Sequence, residues 1–254
     1  MNKTDKETLY NLLNISQSYL TGFKDDSIQI PNFTDDIKVS LQTENLNDNQ
    51  NFQENNKPVS TGITLEILNE KIKKCDRCGL CRTRKQTVPG VGVSRPLVMV
   101  IGEGPGADED EQGLPFVGKA GQLLDKMLIA INLSRNTNCY IANIVKCRPP
   151  ANRDPLLDEC NACMPYLETQ IHILKPAMIL AVGRVAAHNL FKTSDPVNKM
   201  RGKIYDVHGI PAMMTYHPSA LLRDETLKRP AWEDLKLFRT KLDSRLRDLA
   251  LEKK

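Results

Sequence analysis

Four short apolar runs, "RPLVMVIG", "CYIANIVKC", "AMILAVG" and "GIPAMMTY", recur between residues 95 and 216, and each is followed by glycine, loop or helix-forming sequence. This alternation constrains the fold more than any other feature. Strands that are apolar along their whole length, rather than at every second position, are buried on both faces, and buried parallel strands need helical crossovers to join them. The intervening stretches fit that role. "TLEILNEKIKKC", "GKAGQLLDKMLIAI", "DPLLDECNACMPYLETQIHIL", "RVAAHNLF" and "RPAWEDLKLFRTKLDSRL" all carry helical patterning. In the third, Asp154 is expected as the cap, with Pro155 in the first turn. An α/β domain with a parallel sheet covered on both faces follows, and its ligand site belongs at the C-terminal ends of the strands.

What stands at those ends is therefore informative. After the first strand comes "GEGPGADEDEQGLPFVGKAG", residues 102–121. The Gly102-x-Gly104-x-Gly106 spacing is not a dinucleotide fingerprint, but it frees backbone N–H groups for a ligand. Glu103 stands where a carboxylate can orient water, or can simply end a turn. Phe116, in a glycine-flanked loop, can stack on a planar ligand or pack the loop. Asn143 lies inside the apolar second strand, where its amide needs partners from a ligand edge or a neighbouring loop. His217 precedes Pro218 at the end of the fourth, and Leu221, Leu222 and Arg223 follow as either a DNA wedge or a helix start.

Cysteines supply the other signal. Cys75, Cys78 and Cys81 are spaced three apart in a basic stretch, and Cys147 and Cys163 come from a distant region. Cys81 and Cys160 are alternates, and Cys139 reads as core. The spacing allows zinc or an iron–sulfur cluster. Residues 1–60 hold five Lys and nine Asp/Glu, a net of −4, while the whole chain is +4, leaving residues 61–254 at +8. A basic domain suits a polyanionic partner. Residues 1–21 read as a short amphipathic helix able to recruit a partner, 22–60 as a polar disordered linker and 61–254 as the folded domain. With no long apolar run and no secretory leader, no membrane contact and a cytoplasmic location are expected.

The motifs "CDRCGLCRTR", "GEGPGADEDEQGLPFVGKAGQLL", "YIANIVKCRPPANRDP" and "YHPSALLR", in that order, resemble family 4, the iron–sulfur type, of uracil-DNA glycosylase. The likeness runs from about residue 64 to 246. It implies a three-layer α/β/α sandwich with a central four-stranded parallel sheet. It also implies excision of uracil from single- or double-stranded DNA as the first step of base excision repair. By this resemblance a [4Fe–4S] cluster is held by Cys75, Cys78, Cys147 and Cys163. Glu103 positions water. Phe116 stacks on uracil, Asn143 reads its edge, and His217 stabilises the leaving base, assisted by the backbone at Gly104. Glu109 is matched to exclusion of the thymine methyl, and Leu222 and Arg223 fill the gap left by the flipped nucleotide. Arg84, Lys146 and Arg148 belong to a phosphate-tracking basic surface. A monomer is expected, with a replication or repair protein as the partner of the N-terminal segment. The rivals are a non-catalytic iron–sulfur DNA-binding module and a zinc-bound nucleotide-binding protein.

Overall fold

The computed structural model describes residues 63–252. The expected leader helix (1–21) and linker (22–60) lie outside the described residues. The described chain runs α1 (Leu65–Lys73), β1 (Val91–Gly92), β2 (Val98–Gly102), α2 (Ala107–Gln112), α3 (Lys119–Ile129), β3 (Cys139–Asn143), α4 (Leu157–Leu174), β4 (Met178–Val182), α5 (Arg184–Phe191), α6 (Val197–Met200), β5 (Tyr205–Val207), β6 (Ile210–Thr215), α7 (Pro218–Arg223) and α8 (Lys228–Leu251), with short 3₁₀ turns at Gly79–Arg82, Pro150–Asn152 and Glu225–Leu227.

The sheet order is β1-β3-β2-β4-β6-β5. The four inner strands are parallel, as the apolar runs require. Sequence reading did not provide the two edge strands, which are antiparallel and only two and three residues long. Short, half-exposed strands carry too few residues to show a pattern. They also blunt the edges against further pairing.

β2, β3 and β4 are buried along their whole length and β6 over its last four residues, and their alternate residues feed two separate cores. Met99, Ile101, Ile179 and Met214 pack with Leu167 and Ile171 of α4. Val98, Val100, Leu180 and Met213 pack with Leu124 and Leu128 of α3 and Phe238 and Leu242 of α8. This is a three-layer α/β/α arrangement. Burial of each such aliphatic side chain stabilises by roughly 1.5–3 kcal/mol.

Helix α4 begins later than expected. Leu156 is its N-cap and its N–H donates to Glu159 Oε2 at 2.8 Å, so Pro155 lies just outside the helix. Glu159 also pairs with Arg153 at 2.7 Å and is itself 4% exposed, which fixes the loop that follows β3. Among the described residues no helix is long and apolar enough to cross a membrane.

Candidate active site

The C-terminal ends of β2, β3, β4 and β6 open into one cleft of about 600 Å³, lined by Glu103, Gly104, Glu109, Phe116, Asn143, Gly183, His217 and Arg223 among others. Residues far apart in the chain meet here because each follows a parallel strand.

Asn143 ends β3 and is 1% exposed, and its Oδ1 is buried with no hydrogen-bond partner. A buried amide oxygen left unpaired costs about 1–3 kcal/mol, so this acceptor is poised for a donor from the cleft. Phe116 is 6% exposed, and its ring centroid lies 5.7 Å from that of His217 at 34°. Gly102 is required between them, because a Cβ there would stand 2.5 Å from both Asn143 Oδ1 and Phe116 Cζ.

His217 caps α7. Its Nδ1 accepts from the Ser219 N–H at 3.1 Å and lies 2.7 Å from Ser219 Oγ. A backbone N–H can only donate, so Nδ1 carries the lone pair and the ring proton of the neutral imidazole is on Nε2. Burial pulls the His217 pKa down to about 4, with Arg223 lowering it further and Glu109 opposing. The ring is thus neutral at physiological pH and presents one fixed N–H donor.

Glu103 follows β2. Burial pushes its carboxyl up to about 7; the charge on Asp154 adds to the rise and Arg184 opposes it. Asp154 and Arg184 pair with each other at 2.5 Å beside the cleft. A carboxylate poised near neutrality suits general-base work. Sequence reading did not find this flanking pair, because Asp154 lies in the loop before α4 and Arg184 opens α5, thirty residues on.

Two expected roles, those of Lys146 and Arg84, need correction, and Glu109 has a bracing task that the sequence did not show. Both Glu109 oxygens are engaged by backbone: Oε2 accepts from Gly106 N–H at 3.0 Å, and Oε1 from Val117 and Gly118 N–H at 2.9 and 3.1 Å. Glu109 thereby holds the cleft loops together while lining the cleft itself. Lys146 is not on a phosphate-tracking surface. It is 1% exposed and donates to Asn143 O at 2.8 Å and Gln170 Oε1 at 2.7 Å. Burial lowers its pKa to about 8. Arg84 turns inward and donates to Cys147 Sγ at 3.2 Å. A basic residue in a basic stretch carries no sequence mark of being buried, which is why these two were misplaced. Arg148 is half-buried with Nε on Asn152 Oδ1 at 2.8 Å. Leu222 is 49% exposed beside the exposed Arg223, while Leu221, at 2%, anchors the helix beneath them.

Behind the cleft, Cys75, Cys78, Cys81, Cys147 and Cys163 line a second, apolar pocket with Ile72, Leu80 and Tyr166. Cys160 and Cys139 are buried elsewhere. Lys146 N–H donates to Cys163 Sγ at 3.2 Å. Burial pushes the Cys147 thiol up to about 11, opposed by Arg84, and raises Cys163 as well. Among the described residues no three Cys, His, Asp or Glu side chains come together closely enough to hold one metal ion. One zinc draws all its sulfurs to about 2.3 Å from a single centre. The thiols that line this pocket, with N–H donors on the Cys147 and Cys163 sulfurs, form a soft donor set of the kind that holds iron–sulfur clusters or zinc.

Residues 89–236, which contain every side chain lining the cleft, match the family model for the uracil DNA glycosylase superfamily. The chain is 44% identical to a type-4 uracil-DNA glycosylase of Pyrobaculum aerophilum over 69% of this chain and 93% of that protein. It is 40% identical to one from Saccharolobus solfataricus over 71% and 88%, and 41% identical to one from Thermotoga maritima over 67% and 91%. The chain belongs to the uracil DNA glycosylase superfamily and, within it, to the type-4 branch.

Proposed function

We propose that the protein excises uracil from DNA by hydrolysis of the N-glycosidic bond, leaving an abasic site for base excision repair. The observation that carries this reading is the buried, unpartnered Asn143 Oδ1 in a cleft that Phe116 and a neutral His217 also line. Uracil offers an N3–H donor to that oxygen and a planar face to Phe116. The nucleotide has to leave the stack to reach the cleft, and stacking on an aromatic ring contributes roughly 1–3 kcal/mol.

The bond between C1′ and N1 breaks with its electron pair leaving on the base, and negative charge gathers on O2. His217 Nε2–H donates to that oxygen, with backbone N–H near Gly104 assisting. Because the imidazole is neutral, the base leaves as an anion held by a hydrogen bond and takes no proton from His217. Glu103, ionised, orients a water toward C1′ and offsets the positive sugar; the water oxygen bonds C1′ and its proton passes to the carboxylate. Leu222 and Arg223 brace the vacated stack, and Arg148 and Arg153 serve nearby phosphates.

Cys75, Cys78, Cys147 and Cys163 would hold a [4Fe–4S] cluster. Bound there, it supplies a cross-link between the segment before β1, the loop after β3 and helix α4, and excision itself transfers no electron. Cys81 lines the same pocket, with Sγ 4.0 Å from Asp76 O. Cys78→Ser is expected to lose the absorbance near 400 nm and much of the bound iron on purification, whereas Cys81→Ser keeps both. Loss of iron from Cys81→Ser with retention by Cys78→Ser would reassign the ligand.

The function is tested with a labelled oligonucleotide carrying one uracil, alkaline cleavage of abasic sites and a thymine control. Cleavage at uracil alone is expected, and His217→Leu, which removes one transition-state donor, should lower the single-turnover rate by about 10²–10³-fold. Iron-loaded protein that leaves uracil intact would sink the proposal. A cytoplasmic location and a partner for the N-terminal segment belong to the same reading.

A further inference from the structure

Phe116 sits in an unusual backbone conformation. Its φ is 54°, in the left-handed region that non-glycine residues seldom adopt. Something has to hold it there, and the loop is gripped from two sides by opposite charges. Arg135, half-buried in the connection between α3 and β3, donates from Nη1 to Pro115 O at 2.9 Å and from Nη2 to Phe116 O at 2.8 Å. Its Nε is fixed by Asp125 Oδ1 at 2.9 Å. On the opposite side Glu109 takes the next two amides, Val117 and Gly118. A cation thus binds two consecutive carbonyls and an anion binds the two N–H groups that follow. Helix α3 closes against the same peptide, since a Cβ on Gly121 would fall 2.0 Å from Phe116 O.

We infer that Arg135 is a positioning residue for base recognition: its guanidinium fork locks the two carbonyls at Pro115 and Phe116 and so fixes the ring on which the flipped base stacks. The inference rests on the uracil reading of the cleft. The fork is needed because two acceptors on adjacent peptides are met at once by a planar, bidentate donor. A lysine in that place is a single point charge on a flexible stem. Arg135 does not line the cleft, so it acts only through the loop. Released from the fork, Phe116 would relax toward ordinary backbone angles and the ring would shift. Misplacement of about 1 Å at a reacting centre is enough to lower a rate on the order of 10²-fold.

A double-mutant cycle tests this on the full, iron-loaded chain. Single-turnover uracil excision is measured for wild type, Arg135→Met, Arg135→Lys, Phe116→Leu and the double variant Arg135→Met/Phe116→Leu, with circular dichroism and iron content confirming folding. Arg135→Met is expected to slow excision on the order of 10–100-fold, with Arg135→Lys recovering little. In the Phe116→Leu background the same change should have almost no effect, because the ring it positions is gone. If the two losses multiply, or Arg135→Met excises at the wild-type rate, the inference is overturned. If Arg135→Met does not fold, Arg135→Lys, which keeps the charge beside Asp125, carries the cycle with the same two outcomes. Wild type that leaves uracil intact would overturn the reading of the cleft, and the inference with it; a failure of the inference alone leaves wild type active.

Discussion

Glu103→Gln is expected to excise uracil about 10²–10⁴-fold more slowly than wild type, the range of a lost general base, and to be more stable than wild type at pH 8. Both follow from one feature. Burial raises the Glu103 carboxyl to about 7, so the fold favours its neutral form while the reaction needs the anion. For an acid raised in the folded state, the stabilisation is fully present below the unfolded value near 4.5 and is lost as pH climbs through about 7. Gln never ionises and escapes that loss. The melting temperature of the variant should therefore exceed that of wild type at pH 8, by about 2–4 °C for a gain near 1 kcal/mol, and the gap should close toward pH 5. In wild type kcat/KM should fall about tenfold per pH unit below 7 and level off above it. Asp154→Asn, which removes a charge that raises this carboxyl, should move that limb to lower pH. An unchanged pH profile in Glu103→Gln, or an activity loss below tenfold, would remove Glu103 from the water-activating role.

Asn143→Asp is expected to reverse the base preference of the cleft. The native amide oxygen is buried and unpaired, matched to the N3–H of uracil, and each partner left unpaired by a mismatched base costs about 1–3 kcal/mol. An aspartate in a position 1% exposed would be driven toward its protonated form by burial. One oxygen then accepts from the exocyclic amine of cytosine and the acid proton donates to its N3. Uracil excision should fall by roughly 10–100-fold or more, and the ratio of cytosine to uracil excision should rise. The measurement is alkaline cleavage of matched oligonucleotides carrying either base. A variant that loses uracil activity without any gain on cytosine relative to uracil would argue that Asn143 supports the strand rather than reads the base.

How much of this was legible in the chain depends on the kind of information involved. The four parallel strands were readable because burial on both faces leaves them largely apolar. Their order was not, since β3-β2-β4-β6 depends on how crossover helices pack. Glu103, Asn143 and His217 could be singled out because each stands at or just past a strand end, and Phe116 because it lies in the glycine-flanked segment after β2; parallel strands deliver their C-terminal ends to one rim. The family motifs named the same residues.

Chemistry that rests on distance rather than order was invisible. Arg84 and Lys146 looked like surface cations until the fold turned one to a sulfur and buried the other. The three backbone N–H groups that the Glu109 carboxylate accepts, from Gly106, Val117 and Gly118, could not be read from residue order. The tautomer of His217 was fixed by a local contact only two residues away, with Ser219, and still required coordinates. The sequence by itself determined which residue types reach the strand ends, because hydrophobic periodicity is a local property of the chain. Only the tertiary structure decided which polar atoms are satisfied, which charge is buried and which donor faces the cleft. Those depend on the dielectric and the partners that distant segments bring together, and neither is encoded at any single position.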